Sequence, residues 1–316
     1  MNEVTFEDFP KNQKEFDECF SSEQACYEYL FRMRWPQGFR CSRCGHSGYW
    51  MSARGLCICR RCEHHQSITA GTILHGTKKP LRDWFKALWW FTTRKSGVNA
   101  INLKDLLGLG SYQTAWRWLQ KLRSCTIRQG RQRLSGHVEV DEFYLGGQCS
   151  GKPGRGAGHK CAVAIAVERK GRKLGRLRLQ PIDSCGIRDL TAFVQAHIAP
   201  GSHIQTDGWS GYAELRTTGY THEPVFMTRA ANKHSVLPGA HLVISLIKRL
   251  ILATFQGRFE QKYLGRYLDE YVFRFNRRTT QSVGKRFWRI VQQLAASEPI
   301  TNAQLAAKAI RPALAN

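Results

Sequence analysis

The stretch that decides the fold is His137-Val-Glu-Val-Asp-Glu-Phe-Tyr-Leu145, in which apolar residues alternate with acids and other polar residues. This alternation is typical of a β-strand with two different faces. Because successive side chains point to opposite faces, Glu139 and Asp141 lie on one face and Glu142 on the other. An unpaired carboxylate is costly to bury in such a strand, so Asp141 is a candidate functional residue.

The residues that follow this strand have the pattern of predicted strands and helices that is typical of an α/β domain. Gly171-Arg172 is a turn signal between two predicted strands and suggests a hairpin. The further predicted elements are strands at 160–168, 173–180 and 203–206 and helices at 187–197, about 241–256, 260–276 and 281–295.

A second acid comes directly after a predicted strand, since Asp207 follows residues 203–206. Carboxylates from two neighbouring strands, here Asp141 and Asp207, can hold divalent cations against phosphate oxygens for in-line phosphoryl transfer. Asp207-Gly208 is also a common turn pair, and this simpler interpretation of Asp207 stays open.

The third ligand expected in such a site is not a carboxylate here. No Asp or Glu lies between Glu223 and Glu260, and His241 is the ring nitrogen available where the helix at about 241–256 begins. A histidine at a helix start is often a surface or capping residue, so this alternative also stays open. Lys248 lies seven residues further, two turns along roughly the same helix face.

Five of the eleven cysteines crowd into residues 41–62. Cys41-Ser-Arg-Cys44 and Cys59-Arg-Arg-Cys62 are two C-x2-C motifs at a spacing that predicts one tetrahedral structural Zn²⁺ site. Cys57 is a competing ligand, although only the pair of Cys59 and Cys62 repeats the two-residue gap. The poor apolar content of this segment indicates that metal binding contributes to its folding.

Charge and composition predict a folded protein with a polyanionic partner. The net charge is +24 with 42% apolar residues, and the first 30 residues carry eight acids but only two lysines. Nucleic acid is favoured over a membrane surface, because the best apolar stretch, 242–255, is interrupted by Lys248 and Arg249. An odd number of cysteines without a secretory signal predicts reduced thiols in the cytoplasm.

Residues 103–123 have helix-turn-helix spacing. Two predicted helices, 103–107 and 112–123, flank a glycine-rich turn in which Ser111 is placed as an N-cap. An ordinary helical hairpin has the same spacing, and this alternative stays open. The second helix leaves four polar or basic residues available for a DNA major groove: Gln113, Thr114, Arg117 and Lys121.

Several motifs occur together in a fixed order. They are Ala70-Gly-Thr72, Thr114-Ala-Trp116, Val138-Glu-Val-Asp-Glu-Phe-Tyr-Leu-Gly-Gly147, Thr206-Asp-Gly-Trp-Ser-Gly-Tyr212, His241 with Ile244-Ser-Leu-Ile-Lys-Arg249, and Tyr267-Leu-Asp-Glu-Tyr-Val-Phe-Arg-Phe-Asn-Arg-Arg278. This ordered set resembles the bacterial insertion-sequence transposases that join an N-terminal zinc ribbon to a DDE catalytic domain of the ISXO2-like type.

The resemblance implies an RNase H-like fold, a mixed sheet flanked by helices, preceded by a zinc ribbon and a helix-turn-helix. It implies that Asp141, Asp207 and His241 are the metal-binding triad, in D-D-H form, and that Lys248 contacts transposon-end phosphate. The implied catalytic metal is Mg²⁺ or Mn²⁺, and whether His241 ligates it directly or through water stays open. The implied partners are double-stranded DNA at the element ends and the target, and a second copy of the chain, since two ends must be paired.

Six segments follow from the motifs and the resemblance. They are an acidic helical lead-in (1–35), a zinc ribbon (36–75), a helix-turn-helix region (78–124), a linker (125–136), an RNase H-like catalytic domain (137–296) and a C-terminal tail (297–316).

The predicted function is that of a DNA transposase which binds the terminal inverted repeats of its element and catalyses metal-dependent strand cleavage and strand transfer. The expected location is the bacterial cytoplasm, in association with the nucleoid. A zinc-ribbon, helix-turn-helix regulator, or a catalytically impaired relative, would bind DNA with the same basic surface without cutting it. A cleavage assay on supercoiled plasmid separates these alternatives.

Overall fold

The computed structural model describes residues 8–94, 97–128, 130–146, 160–226, 236–255, 259–280 and 282–306. The start of the predicted lead-in and the last ten residues of the predicted tail lie outside these ranges. The chain forms two compact units, one from Met1–Thr126 with Thr279–Ala306 and the other centred on Ile127–Arg278.

Unit 1 is mainly helical. Its helices are α1 (Gln13–Cys19), α2 (Glu23–Arg34), α3 (Leu81–Thr93), α4 (Ala100–Leu107), α5 (Tyr112–Ser124), α9 (Val283–Ala296) and α10 (Asn302–Ala306). The acidic lead-in contributes to this unit, because Glu23 caps α3: its carboxylate accepts hydrogen bonds from the backbone N–H groups of Leu81 at 2.6 Å and Arg82 at 3.0 Å.

Helix α9 belongs to unit 1, whereas the sequence assigned it to the catalytic domain. The reason is an aromatic core that the primary order does not reveal. Phe287 of α9 lies between 5.5 and 6.1 Å, centroid to centroid, from five rings of the first 90 residues: Phe16, Phe20, Tyr29, Phe85 and Trp89. Burial of these rings outweighs proximity along the chain. The predicted tail also contains a helix, α10, whose Leu305 is fully buried.

The cysteine-rich segment of unit 1 forms a three-stranded antiparallel sheet. Its strands are β1 (Tyr49–Met51), β2 (Leu56–Cys59) and β3 (His65–Ser67), in that order across the sheet. Helix α2 lies against this sheet: the Phe31 and Tyr49 rings are 5.7 Å apart, and the Arg34 guanidinium donates to the carbonyls of Ser67, Ile68 and Ala70.

Unit 2 is built on a five-stranded mixed sheet. The strands are β4 (His137–Leu145), β5 (Cys161–Lys170), β6 (Lys173–Ile182), β7 (His203–Thr206) and β8 (Thr221–Pro224), in the spatial order β6-β5-β4-β7-β8. A three-stranded antiparallel meander is thus extended by two strands parallel to β4. This topology confirms the expected RNase H-like fold, and the β5–β6 pairing confirms the predicted hairpin at Gly171-Arg172.

The two faces of the sheet have different contents. Val138 and Val140 face a core that includes Phe193 and Val194 of α6 (Ile187–His197) and Tyr212 of the 3₁₀ helix Ser210–Thr218. The opposite face of β4, with Glu139 and Asp141, meets the start of α7 (Pro238–Phe255). The predicted division of these acids from Glu142 is therefore confirmed.

Helix α8 (Leu264–Phe275) covers the edge strand β6. The Asn276 side chain pairs with the Leu177 backbone as another strand would, accepting from its N–H at 2.7 Å and donating to its C=O at 3.1 Å. Arg278 donates to the carbonyls of Leu174 and Gly175 on the same strand. The Asn-Arg-Arg motif therefore closes a sheet edge, which would otherwise be open to pairing with another chain.

Helix α7 is long and apolar enough to cross a membrane by length and composition alone. In this fold Val243, Ile247 and Ile251 form a stripe at four-residue spacing that is buried, and α7 packs on β4 and β5. Lys248 and Arg249 are exposed on its other side.

Candidate catalytic centre and metal sites

Asp141 lies on β4 with only 7% of its surface exposed. Its Oδ1 accepts a hydrogen bond from the backbone N–H of Glu142 at 2.8 Å. Its Oδ2 lies 3.4 Å from Nε2 of His241, the fourth residue of α7. The buried carboxylate therefore has a specific partner on an element a hundred residues away in sequence.

Asp207 follows the end of β7, the strand that neighbours β4. The parallel pairing of β4 and β7 matches Val138 with Ile204 and Glu139 with Gln205, and it ends two residues before Asp141 and Asp207. The charges of Asp141 and Asp207 both act on His241, and both add to the effect of burial in raising the pKa of Tyr212, so the two carboxylates belong to one neighbourhood. Oδ1 of Asp207 accepts from the Trp209 N–H at 3.0 Å, which holds the turn after the strand.

His241 joins this carboxylate pair from the first turn of α7. The hydrogen bond with Asp141 raises the pKa of His241 above its ordinary value, against the opposing effect of partial burial. The charges of Glu139 and Asp207 also favour the imidazolium. The charges of Asp141 and Asp207 thus both act on His241.

Asp141 and His241 offer an oxygen and a nitrogen at a distance that suits a shared divalent ion. The distance of 3.4 Å between Asp141 Oδ2 and His241 Nε2 is close to the roughly 3 Å that separates adjacent ligands around an octahedral ion with bonds of about 2.1 Å. Oδ1 of both Asp141 and Asp207 accepts a hydrogen bond from a backbone N–H, which holds each carboxylate in place. One imidazole nitrogen among carboxylate oxygens suits Mn²⁺ as well as Mg²⁺.

Lys248 lies outside this centre on the exposed side of α7. Seven residues separate it from His241, which is about 10.5 Å along the helix axis at 1.5 Å per residue. The exposed Ser245 lies between them on the same side.

The ribbon cysteines form a compact tetrahedral group. The Sγ atoms of Cys41, Cys44, Cys59 and Cys62 all lie within 4.8 Å of one another, and within the described ranges this is the one such cluster of three or more His, Cys, Asp or Glu residues. Cys41 and Cys62 are 3.7 Å apart and Cys44 and Cys59 are 3.6 Å apart, Sγ to Sγ. Zn–S bonds of 2.3 Å at tetrahedral angles give about 3.8 Å. The group fits structural zinc.

Cys57 is excluded from this group by its position on β2. Its fully buried Sγ lies 3.5 Å from the Tyr27 hydroxyl on α2, away from the four ligands. Burial raises the pKa of the Cys57 thiol, which favours the neutral form. Because side chains alternate along β2, Cys57 and Cys59 lie on the same face of the strand, but Cys57 lies two residues further from the other cysteines, beside Tyr27. The tight turn after Cys59 brings Cys62 into the group of four.

The helix-turn-helix region only partly presents the predicted DNA-contact residues. Gly108, with φ of 58°, ends α4, and Ser111 caps α5 by accepting from the Thr114 N–H at 3.2 Å. Gln113 and Arg117 are exposed on α5, while the Thr114 hydroxyl is 2.9 Å from that of Ser111, within the cap.

Lys121 departs from the prediction of a groove-facing residue. Its ammonium donates to the Ile73 carbonyl at 3.2 Å, and burial lowers its pKa. It lies four residues after Arg117 but is turned toward the loop that follows the ribbon, because the long side chain can bury its stem while satisfying its charge on a carbonyl.

Two contacts in unit 2 were not predicted. Tyr212 is fully buried and donates from its hydroxyl to Glu142 Oε2 at 2.7 Å, so the Asp-Gly-Trp-Ser-Gly-Tyr motif also anchors the other face of β4. Glu139 caps α7 through Ala240, which is 101 residues away. The available signal was the placement of Glu139 two residues before Asp141 on the same strand face.

Two regions of the chain, the cysteine-rich segment with α2 and most of unit 2, match profiles of known protein domains. The profile of the ISXO2-like transposase domain matches residues 133–276, and that of the transposase zinc-ribbon domain matches residues 21–65. The ribbon match begins inside the segment that the sequence assigned to the lead-in, in agreement with the packing of α2 on the ribbon sheet.

An uncharacterised protein in transposable element ISH50 of Halobacterium salinarum is 26% identical over 132 residues, which are 40% of this chain and 43% of that protein. The match therefore spans less than half the length of that relative. Among solved structures, the Mos1 strand transfer complex covers 70% of this chain and 77% of its own, with 13% identity and a TM-score of 0.28. The Mos1 mariner paired end complex with Mn covers 67% and 75%, with 14% identity and a TM-score of 0.27.

The two profiles together match more than half of the chain, and they match the parts that carry the cysteine group and the Asp141–His241 contact. The chain therefore carries a transposase zinc-ribbon domain and an ISXO2-like transposase domain.

Proposed function

We propose that this transposase binds the terminal inverted repeats of its element and catalyses metal-dependent strand cleavage followed by strand transfer. The observation that carries the proposal is the contact of His241 with Asp141, and the effect of the Asp207 charge on His241 supports it. A buried carboxylate, a second carboxylate after the neighbouring strand and an imidazole at a helix start form a donor set for divalent metal.

The residues of the centre have distinct tasks in this proposal. Asp141 and Asp207 would each hold metal through a carboxylate oxygen, and His241 would complete the set with a neutral ring nitrogen after losing its proton. A divalent ion bound there neutralises charge on the scissile phosphate and activates the attacking oxygen. In cleavage that oxygen comes from water, and in strand transfer it is the freed 3′-hydroxyl; in both steps the P–O bond to the leaving oxygen breaks in line.

The DNA interface in this proposal combines the ribbon, α5 and α7. Lys248 contacts the phosphate of the transposon end beside the centre, and the exposed Gln113 and Arg117 enter a major groove, as the helix-turn-helix arrangement supports. Two chains pair the two element ends. The protein acts on chromosomal DNA in the cytoplasm, in association with the nucleoid.

The decisive experiment is a cleavage assay on supercoiled plasmid that carries the sequences flanking the gene. We expect nicked and linear products with Mg²⁺ or Mn²⁺, with strand breaks at the ends of the inverted repeats, and none with Ca²⁺ or chelator. Binding of the same DNA without cleavage under any of these metals would identify the chain as a DNA-binding regulator or an impaired relative instead.

Arg117 and Lys121 differ in exposure and provide a matched test of the α5 surface. We expect Arg117→Ala to weaken binding of end DNA about tenfold, which is about 1.4 kcal/mol, and to lower the salt dependence by about one counterion. Lys121→Gln keeps a donor for the Ile73 carbonyl and should leave affinity within twofold. Fluorescence anisotropy across a salt series measures both. Equal losses in the two variants would mean that α5 contacts DNA through a different face.

A further inference from the structure

The start of α7 is held by a carboxylate that takes no part in the chemistry proposed above. Glu139 is buried, with 2% of its surface exposed. Its Oε2 accepts from the Ala240 N–H at 2.7 Å, and its Oε1 lies 3.2 Å from Nη1 of Arg169 on β5. Both carboxylate oxygens are therefore engaged within the protein.

This arrangement separates Glu139 from the metal ligands. A carboxylate next to Asp141 on the same face would be an obvious replacement for the third acid that this chain lacks. An oxygen that already accepts from a backbone N–H and another that pairs with a guanidinium are poorly suited to bind an ion. The ion pair with Arg169 also neutralises the charge locally. Besides the effect of its charge on His241, Glu139 therefore acts through the helix that it caps.

The positions of these side chains against α7 depend on Gly239. A Cβ at this position would lie 2.9 Å from Glu139 Oε2, 2.9 Å from Arg169 Nη1 and 2.8 Å from Leu174 Cδ2. These distances are too short for a Cβ, so a residue larger than glycine would displace the ends of these three side chains, including the carboxylate oxygen that caps α7. The glycine, the carboxylate and the arginine form one joint, which we term the α7 joint (Glu139, Arg169 and Gly239).

The geometry points to the α7 joint as the device that positions His241. Glu139 and Asp141 are next neighbours on one strand face, about 6.6 Å apart along β4. They contact two consecutive residues of α7, the Ala240 N–H and the His241 imidazole. We propose that Glu139 is a positioning residue: it fixes the rotation and height of the first turn of α7, so that the ring of His241 meets Asp141.

The contacts of Glu139 with Ala240 and of Asp141 with His241 are both needed to position α7, because a single contact would leave the helix free to rotate about its axis. Consecutive residues of a helix are 100° apart, so a helix that rotated by a single residue would carry the imidazole away from the centre. The hydrophobic stripe of α7 favours its packing face but sets the rotation only coarsely. The inference rests on the proposed function for its catalytic consequence, whereas the joint itself is a feature of the metal-free protein.

The test compares Glu139→Ala, Glu139→Gln and Gly239→Ala in the full-length chain. Glu139→Ala removes both contacts, and we expect cleavage at saturating Mn²⁺ to fall about 100-fold. Glu139→Gln keeps an oxygen for the Ala240 N–H but loses the charge that pairs with Arg169. Cleavage by this variant should fall only about tenfold. Gly239→Ala keeps the Glu139 residue but displaces its carboxylate oxygen from the Ala240 N–H, so cleavage by this variant should fall in the same direction as in Glu139→Ala.

A readout without metal or DNA tests the joint directly. Hydrogen exchange of the peptide that contains Ala240 and His241 should accelerate at least tenfold in Glu139→Ala and Gly239→Ala. The matched control is Glu168→Gln, which alters another buried acid of the same sheet, paired with Arg176 through its side chain at 2.5 Å. This control should leave exchange of the α7 peptide unchanged, whatever its effect on thermal stability.

The outcomes separate the inference from the proposed function. If the wild-type chain does not cleave DNA but exchange at the start of α7 accelerates in the two variants, the proposed function fails and the joint stands. If the wild-type chain cleaves DNA and Glu139→Ala changes neither exchange nor cleavage more than Glu168→Gln does, the joint does not position His241. The same conclusion follows if the Mn²⁺ concentration for half-maximal activity and the maximal rate are both unaltered in Glu139→Ala.

Discussion

Replacing Asp141 or Asp207 with asparagine should reduce strand cleavage at least about 100-fold, equivalent to about 2.7 kcal/mol of transition-state stabilisation. An amide is neutral and cannot take the place of a charged metal ligand, although it has nearly the same shape. In Asp141→Asn the contact with His241 loses its charge as well, so this variant should be the more strongly impaired of the two. Quantification of nicked plasmid in single-turnover reactions with Mg²⁺ and with Mn²⁺ measures the effect.

The control for this pair is Glu223→Gln. Glu223 is an exposed acid on β8, the strand that neighbours β7. Its carboxylate lies 3.2 Å from Nε2 of His203 on β7. The Glu223→Gln variant makes the same change of charge at a residue outside the proposed catalytic centre. We expect its cleavage rate and its affinity for end DNA to match those of the wild type. If Asp207→Asn cleaved as fast as Glu223→Gln, the assignment of Asp207 as a metal ligand would be wrong.

The loss of zinc should unfold the ribbon. Apparent binding energies of about 10 to 16 kcal/mol for structural zinc in small domains exceed what a three-stranded sheet with few aliphatic residues can supply. We expect Cys59→Ser to purify with less than one equivalent of zinc per chain and to be cleaved rapidly by protease between residues 41 and 67. Elemental analysis by mass spectrometry and limited proteolysis report these two effects.

Cys57→Ser is the matched comparison, since the two cysteines lie on one strand two residues apart. Its side chain contacts the Tyr27 hydroxyl rather than the metal. We expect this variant to retain one equivalent of zinc and to lose about 1 kcal/mol of stability at most, which thermal denaturation measures. Zinc loss in Cys57→Ser with retention in Cys59→Ser would reverse the ligand assignment.

The sequence predicted the parts of this protein that local spacing specifies. Two C-x2-C motifs are enough to predict a tetrahedral thiolate site, since each pair of thiols is presented by a short loop. Alternation along β4 was enough to place Asp141 and Glu142 on opposite faces of the sheet, because the side-chain period of a strand is two. Ser111 and Gly108 were enough to place the boundary between α4 and α5.

Predictions that depended on side-chain surroundings were less secure. Periodicity grouped Lys121 with Arg117 as a polar residue of α5, but it contains no information about the Ile73 carbonyl that binds the ammonium. Helix α9 was assigned to the catalytic domain by its order in the chain, because nothing local to it reveals the aromatic cluster of unit 1. The motif around residue 278 likewise does not reveal that Arg278 donates to the carbonyls of the edge strand β6.

The catalytic centre shows the same division most clearly. The sequence by itself determined the candidate residues: two acids at strand positions in a body poor in acids, and a histidine where a third carboxylate was expected. The tertiary structure decided how His241 meets Asp141, with the cap that Glu139 places on α7 from 101 residues away. The physical reason is that spacing along a chain fixes contacts only within a strand or a helix turn. The contact between Asp141 and His241 depends on packing between elements, which is set by the burial of whole faces and by the absence of a Cβ at Gly239.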